Sequence, residues 1–207
     1  MEEIAMPVSF KALIFDMDGT LFDTEPLHRN AWREAFAPFN MTFEDEDFIP
    51  YNGSSPVNVA CALIASRKLN ADPVAIATRK KSAVERMLRD DPVAFLPAAT
   101  LLERYHADFR IGLGTGSGAS TASTLLGRFS FLKHFQAIVS ADDVLHPKPH
   151  PDTFTQCAAI LGVAPAECLV FEDSDFGLVA AQRAGMSVVD VKAKTFDELR
   201  QYLLPDG

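Results

Sequence analysis

Short apolar runs that alternate with helix-like segments are the feature that most constrains the fold of this chain. Five such runs of four to six residues occupy residues 11–15, 109–114, 136–140, 168–171 and 187–191. Segments between them, such as DTFTQCAAILG and DFGLVAAQRAG, carry apolar residues at helical spacing and end in glycine, which is a helix stop signal. Strands that alternate with helices predict a parallel α/β sheet, and ligands bind such sheets beyond the carboxyl ends of the strands.

Residues 25–92 have a different pattern, because no clear strand interrupts them. The segments PLHRNAWREAFAPF, SPVNVACALIASRKL and AIATRKKSAVERMLRD have the spacing of helices. We therefore expect a helical domain at 25–92 inserted into a core domain of residues 1–24 and 93–207. Its position directly after the first strand indicates a lid over the strand ends.

Two carboxylates follow the first predicted strand in the stretch ALIFDMDGT. Asp16 and Asp18 are two residues apart, so at a strand end their side chains can face the same way. Burying a lone charge is costly, and acids in this place need a metal, a proton or a substrate as partner. One carboxylate can attack an electrophile or bind a cation while the other transfers a proton. Capping of the next turn is the alternative.

Two further clusters follow later strands. The Gly-rich stretch 112–121 can offer backbone N–H groups and the hydroxyl of Thr115 or Ser117 to a phosphate, although a plain turn or a dinucleotide loop has a similar pattern. In HPKPHPD (146–152), Lys148 lies between two prolines and can place a cation beside the acids. A lysine in a surface turn is the alternative there.

The last cluster, VFEDSDFG, places Glu172 and Asp173 after the fourth predicted strand. Carboxylate oxygens are ligands that Mg²⁺ prefers, whereas a helix cap at Asp173 or Ser174 is the alternative. His146 and His150 lack a third ligand at suitable spacing, which disfavours a zinc site. Because all four clusters should face one crevice, their combination predicts a phosphate site with Mg²⁺ and an aspartate nucleophile.

In this order the four clusters resemble the motifs of the haloacid dehalogenase superfamily of phosphotransferases, over nearly the whole chain. The resemblance implies an α/β, Rossmann-like parallel-sheet core with an inserted all-helical C1-type cap. FDMDGTLFDTEPLHRNAW is similar to the β-phosphoglucomutase-like subgroup. DTEPLHRNAW, NGS, GTGS and VFEDSDFG resemble bacterial phosphatases that act on fructose 1-phosphate and 6-phosphogluconate. A small-molecule sugar phosphate is therefore the expected substrate.

The resemblance also implies a role for each core residue. Asp16 attacks phosphorus and forms an aspartyl-phosphate, while Asp18 protonates the leaving oxygen and then activates water. Thr115, the Gly116 amide and Lys148 bind the phosphoryl oxygens. The implied Mg²⁺ ligands are Asp16, the Asp18 backbone carbonyl and Asp173, with Glu172 assisting. The presence of Asp18 favours phosphate esters, since relatives that cleave carbon–halogen or carbon–phosphorus bonds lack it.

Five residues of the insert are expected to bear on specificity: His28, Asn52, Gly53, Ser54 and Lys80. The alternatives are a polar helix residue for His28, a plain surface turn for residues 52–54 and a solvated lysine for Lys80. His28 falls at a hinge position of the mutase relatives. Those mutases hold a second phosphate with a cap arginine and a Lys-Asn pair. Here Pro56 and Gly118-Ala119 align with those groups, which favours hydrolysis over isomerisation.

The composition excludes several partners. A net charge of −9 and a pI of about 5.0 argue against nucleic acid and anionic membranes as partners.

Cys61, Cys157 and Cys168 are scattered, which is typical of free thiols in a reducing compartment. MEEIAMPVSF is acidic and short of apolar length, so we expect no signal peptide there, and no apolar run approaches the roughly 20 residues of a membrane span. We expect a cytoplasmic protein and, without a heptad seam, a monomer.

Three alternatives to the phosphatase stay open. A β-phosphoglucomutase-type isomerase would convert the sugar phosphate without net phosphate release. A dinucleotide-binding module built on GTGSGA would need an acid about 20 residues further on for the ribose, and Asp142 is slightly too distant. A purely structural role would leave four intact clusters without a use.

Overall fold

The computed structural model describes residues 10–51, 54–129 and 133–203. Five strands are present: β1 (Ala12–Phe15), β2 (Arg110–Gly114), β3 (Ala137–Val139), β4 (Cys168–Glu172) and β5 (Ser187–Asp190). The α-helices of the described residues are α1 (Glu25–Phe36), α2 (Pro56–Ser66), α3 (Pro73–Asp90), α4 (Pro97–Tyr105), α5 (Ala119–Gly127), α6 (Asp152–Leu161), α7 (Asp175–Arg183) and α8 (Phe196–Gln201). All five predicted strands are therefore confirmed, each within a residue or two of its expected ends.

The strands form one parallel sheet in the order β3-β2-β1-β4-β5. In its register Phe15 of β1 lies opposite Leu113 of β2 and Phe171 of β4, so the strands end side by side. The residues that follow β1, β2 and β4 are Asp16, Thr115 and Asp173. The predicted clusters are thus brought to one edge of the sheet because parallel strands share their direction.

Alternating side chains of β1 pack into two separate apolar layers, one on each face of the sheet. Leu13 and Phe15 pack with residues of α4, α5 and α8 on one face, and Ala12 and Ile14 pack with α6 and α7 on the other. This alternation follows from the two-residue period of a strand, and burial on both faces explains the continuous apolar run. The α/β, Rossmann-like core expected from the sequence is confirmed.

The three helices predicted within 25–92 are present as α1, α2 and α3. They enclose an apolar cluster of their own, which includes Trp32, Phe36, Leu63 and Ile76. Leu27 of α1 and Leu88 of α3 join the apolar layer of the sheet instead. The insert is therefore packed on the core as well as on itself.

The two connections of this insert lie beside each other. The backbone N–H of Asp23 donates to the carbonyl of Ala94 at 2.9 Å, and Phe22 and Phe95 form an isolated antiparallel bridge. The N–H of Leu96 donates to the carbonyl of Leu21 at 3.0 Å. Chain entry and exit are thereby held together at the edge of the sheet where the polar clusters lie.

Within the described residues, no helix combines the length and apolar character needed to cross a membrane.

Candidate active site

Lys148 joins two carboxylates that come from different strands. Its Nζ lies 2.7 Å from Oδ1 of Asp16 and 2.6 Å from Oε2 of Glu172, and all three side chains are buried. Burial alone would lower the pKa of Lys148, but the charges of Asp16 and Glu172 outweigh it and raise that pKa. The lysine is therefore a buried cation beside Asp16 and Glu172, and the alternative of a lysine in a surface turn does not hold.

Asp16, Glu172 and Asp173 form a buried group in which ligand atoms lie within 4.8 Å of one another. Burial and the nearby charge of Glu172 raise the pKa of Asp16 well above its ordinary value. The same two causes raise the pKa of Asp173 to about 7. One lysine does not neutralise three acids, so the donor set fits a hard dication such as Mg²⁺, which takes oxygen ligands.

Two glycines lack the side chain that would otherwise overlap the carboxylates of Asp173 and Glu172. A Cβ at Gly19, whose φ is +77°, would lie 2.5 Å from Oδ2 of Asp173. A Cβ at Gly177 would lie 1.8 Å from Oε2 of Glu172. Thr20 completes the support of Asp173 by donating its hydroxyl to Oδ1 at 3.1 Å.

Glu172 is fixed from its other oxygen by the start of α7. Its Oε1 accepts the N–H groups of Asp173 and Ser174 at 3.0 and 2.9 Å and the Ser174 hydroxyl at 2.9 Å. Ser174 also caps α7, because its Oγ accepts the N–H of Gly177 at 3.1 Å. The helix-cap alternative therefore holds for Ser174, while Asp173 faces the acidic group.

Asp18 has a separate set of partners from Asp16. Its Oδ1 accepts the Thr24 hydroxyl at 2.6 Å and lies 3.0 Å from Nε2 of His28, while its Oδ2 accepts the Ser117 hydroxyl at 2.7 Å. Burial alone would raise the pKa of Asp18. The adjacent His28 and these hydrogen bonds outweigh burial and hold the pKa well below its usual range.

Lys80 of α3 extends this set from the insert. Its Nζ lies 2.9 Å from Nδ1 of His28 and 5.5 Å from the ring centroid of Trp32. An ammonium group only donates, so Nδ1 accepts and the Nε2–H of His28 donates to Asp18. Burial lowers the pKa of Lys80 to about 8, and burial together with the charge of Lys80 lowers the pKa of His28.

The turn after β2 holds two of the predicted phosphate-binding residues, Thr115 and Gly116. Thr115 is buried, its N–H donates to the carbonyl of Val139 at 2.9 Å, and its Oγ1 accepts the N–H of Ser117 at 3.0 Å. Gly116 and Ser117 line the cavity. This turn therefore brings backbone and hydroxyl groups beside Asp18.

A cavity of about 360 Å³ is lined by most of these groups, whereas Thr20, Thr24 and Thr115 lie behind its lining residues. The sheet edge contributes the core acids and Lys148 to its lining, and the insert contributes residues that include Trp32, Ser54, Pro56 and Lys80. Of the five insert residues singled out in the sequence, His28, Ser54 and Lys80 line this cavity. Asn52 and Gly53 lie outside the described residues.

The sequence did not single out every group that organises the site. Thr24 and Ser174 were missed as partners of Asp18 and Glu172, and Ser117 was considered only for phosphate. A hydroxyl residue directly after a strand-end acid was the available signal for Ser174. Among the described residues, neither histidine of HPKPHPD belongs to the buried group of Asp16, Glu172 and Asp173. His146 pairs instead with Asp152, whose Oδ2 lies 3.0 Å from its Nδ1 at a largely exposed position.

Comparison with known proteins agrees with this architecture. The family model described as haloacid dehalogenase-like hydrolase matches residues 13–191. The fructose-1-phosphate phosphatase YqaB of Escherichia coli (strain K12) is 44% identical over 183 residues, which are 88% of this chain and 97% of that protein. The beta-phosphoglucomutase of Bacillus subtilis (strain 168) is 29% identical over 187 residues, which are 87% and 83% of the two chains.

Among solved structures, CbbY from Rhodobacter sphaeroides in complex with phosphate superimposes with a TM-score of 0.78 at 24% identity, covering 90% of each chain. That similarity concerns the fold. Fold and site together define a hydrolase with a parallel α/β sheet, in which acids and a lysine gather at the ends of the strands. The chain belongs to the haloacid dehalogenase-like hydrolase family.

Proposed function

We propose that this protein is a Mg²⁺-dependent phosphatase of small phosphorylated sugars that works through an aspartyl-phosphate on Asp16. The observation that carries the proposal is the meeting of Asp16, Asp18 and Lys148 at one cavity beneath α1–α3. The E. coli relative named as a fructose-1-phosphate phosphatase supports the substrate class. Fructose 1-phosphate and 6-phosphogluconate are the first substrates to consider.

Asp16 is the proposed nucleophile, and Lys148 holds its carboxylate in place. A dication bound to Asp16, Asp173 and the Asp18 carbonyl, with Glu172 assisting, would neutralise charge on the phosphoryl group and favour the ionised form of Asp16. Phosphoryl transfer depends mainly on positioning and on such neutralisation.

Phosphoryl oxygens bind Thr115, the Gly116 amide and Lys148 in this proposal. Thr115 and Gly116 directly follow β2, and Lys148 lies shortly before α6. All three donors therefore lie at the sheet edge where the strands end. Thr115 and Lys148 are buried, which strengthens their interaction with an anion.

Asp18 is the proposed acid and base. Its carboxyl is ionised in the arrangement seen here, which is the form that can take a proton from water. A phosphate dianion nearby would raise that pKa, so Asp18 can take up the proton that it gives to the leaving oxygen. His28 and Lys80 are proposed to orient it from the insert.

We propose that residues 25–92 act as a cap domain over a core of residues 1–24 and 93–207. The contact from Lys80 through His28 to Asp18 supports this division, because it makes the geometry of the acid depend on the position of the insert. Ser54, Asn52 and Gly53 are proposed to contact the sugar. The same proposal takes the protein to be a cytoplasmic monomer.

A β-phosphoglucomutase-type isomerase is the second candidate, and the B. subtilis relative of that name favours it. A mutase must hold a bisphosphate intermediate. Pro56 and Gly118, which align with cationic groups of the mutases, both line the cavity. The cavity wall at these two positions therefore offers no cation, which favours hydrolysis.

The test is phosphate release from fructose 1-phosphate, 6-phosphogluconate and β-glucose 1-phosphate with and without Mg²⁺. We expect release that EDTA abolishes and that Asp16→Asn lowers by at least about 10³-fold with the fold retained by circular dichroism. Full activity of Asp16→Asn would exclude the mechanism. Conversion of β-glucose 1-phosphate to glucose 6-phosphate without net release would establish the mutase instead.

A further inference from the structure

Asp142 is a carboxylate of the cavity wall that the proposed chemistry does not use. It lies in the short helical turn Ala141–Asp143 that follows β3. Its Oδ2 accepts the N–H of Ala119, the first residue of α5, at 2.8 Å. Both Asp142 and the neighbouring Gly118 line the cavity.

A short chain of contacts connects this position to the proposed acid. The N–H of Ala141 donates to the carbonyl of Ser117 at 3.0 Å, and the Ser117 hydroxyl donates to Asp18. A Cβ on Gly118 would lie 3.1 Å from Oδ2 of Asp142, so the carboxylate packs directly on the turn before α5. Asp142 therefore borders the space that a substrate bound beside Asp18 would enter.

The start of a helix is where a substrate anion would otherwise find donors. Backbone N–H groups and the helix dipole favour negative charge there. At α5 the side chain of Asp142 already takes the N–H of Ala119, and its own charge faces the cavity. A second anion in this region would meet a carboxylate in place of an amide.

Two of the three arginines and lysines that the insert contributes to the cavity wall, among the described residues, are engaged with other groups. Arg29 is bound to Glu25 at 2.9 Å and to Asp45 at 3.2 Å. Lys80 is directed at His28. Lys81 is an exposed lysine of the wall and is the remaining cation of the insert there among the described residues.

We propose that Asp142 is a specificity-determining residue that excludes a second phosphate group, so that the enzyme selects sugar monophosphates over bisphosphates. The inference rests on the proposed phosphatase function and adds a substrate class to it. Asp142 acts by charge on the far end of the substrate, away from the phosphoryl group that reacts at Asp16.

Asp142→Asn removes the charge but keeps the hydrogen bond at the start of α5, because the amide oxygen can still accept the N–H of Ala119. The readout is the ratio of kcat/KM for fructose 1-phosphate to kcat/KM for fructose 1,6-bisphosphate, at fixed free Mg²⁺. We expect the ratio to fall by about fivefold, mainly through KM for the bisphosphate, and to fall less at high salt, since the carboxylate is exposed and screened.

Asp197→Asn is the matched control, because it removes the same charge from a side chain that is 78% exposed on α8. It should leave the ratio unchanged. An Asp142→Asn ratio equal to that of the wild type would overturn the inference. An equal loss of kcat/KM for both substrates would also overturn it, because that result is expected if Asp142 only supports the start of α5.

A binding experiment separates this inference from the proposed function. Calorimetry with Mg²⁺ compares the affinities of the two sugar phosphates for Asp16→Asn and for the double variant Asp16→Asn/Asp142→Asn. A relative gain in bisphosphate affinity of about fivefold supports the role of Asp142 even if the wild type hydrolyses neither sugar. No relative gain overturns it even if the wild type is an active phosphatase.

Discussion

Single residues at the sheet edge carry the tightest geometric demands, and Gly19 is the clearest case. Its backbone has φ +77°, and a Cβ would overlap the Asp173 carboxylate. We expect Gly19→Ala to lose roughly 1–2 kcal/mol of stability from its left-handed backbone and to weaken Mg²⁺ activation of phosphate release at least about tenfold. Urea unfolding and a Mg²⁺ titration of activity measure the two effects.

Gly185→Ala is a matched control for that experiment. Gly185 also has a positive φ, +73°, but a Cβ there would meet nothing within 4 Å. It should lose only the roughly 1–2 kcal/mol that a left-handed backbone costs, without the overlap at Asp173, and should keep its Mg²⁺ dependence. Equal Mg²⁺ dependence in the two variants would argue against the placement of Asp173 at the metal site.

Lys80 provides a pH-dependent prediction. Its pKa is lowered by burial from 10.5 to about 8, so the unfolded chain binds one more proton between these values and the free energy of unfolding should rise with pH there. From pH 7.5 to 9.5 the gain of wild type over Lys80→Met should be about 2 kcal/mol, measured by urea unfolding.

The neighbouring Lys81→Met is the control, since Lys81 is exposed. It should retain the rise of the wild type across the same pH range. If Lys80→Met rises as steeply as wild type, Lys80 is not buried as a cation beside His28.

At the scale of elements, one residue at the start of α7 both caps the helix and contacts the buried acids. Ser174 caps the helix and donates its hydroxyl to Glu172. Ser174→Ala should cost about 1 kcal/mol of stability and also lower kcat, because Glu172 would lose one of its fixed partners. Chemical unfolding and phosphate-release kinetics measure the two effects.

Thr195→Ala isolates the capping part of this prediction. Thr195 caps α8 with a capping box and is not among the residues that line the cavity. The variant should lose a similar amount of stability and keep its kcat. An unchanged kcat in Ser174→Ala would indicate that Glu172 needs no support from that hydroxyl.

For the whole molecule, the buried acids predict that Mg²⁺ stabilises the fold. Asp16, Glu172 and Asp173 repel one another, and a bound dication should add about 2.7 kcal/mol when its concentration is a hundred times its Kd. Asp173→Asn keeps an acceptor for the Thr20 hydroxyl but removes a charge. We expect its Tm to rise much less with Mg²⁺ than that of the wild type.

Asp108→Asn, a change on the exposed surface, serves as the control and should respond to Mg²⁺ as the wild type does. Thermal unfolding in EDTA and in excess Mg²⁺ gives both values. Equal Mg²⁺ stabilisation of all three proteins would place the ion elsewhere.

The sequence by itself determined the local patterns, namely five strands, the principal helices, and the acids and lysine at the strand ends. Strand and helix periods are set by neighbouring residues, and parallel strands bring their carboxyl ends together whatever the details of packing. That is why Asp16, Lys148 and Asp173 could be assigned to one edge before their distances were known.

Only the tertiary structure decided which side chains touch across that edge. Lys80 reaches His28 from 52 residues away, and Asp142 reaches the amide of Ala119 across 23 residues. No local period encodes such contacts, because they depend on how α3 lies against α1 and how the turn after β3 lies against α5. The sequence therefore determined the chemistry available at the strand ends, and the packing of these elements decided the partners that hold and tune it.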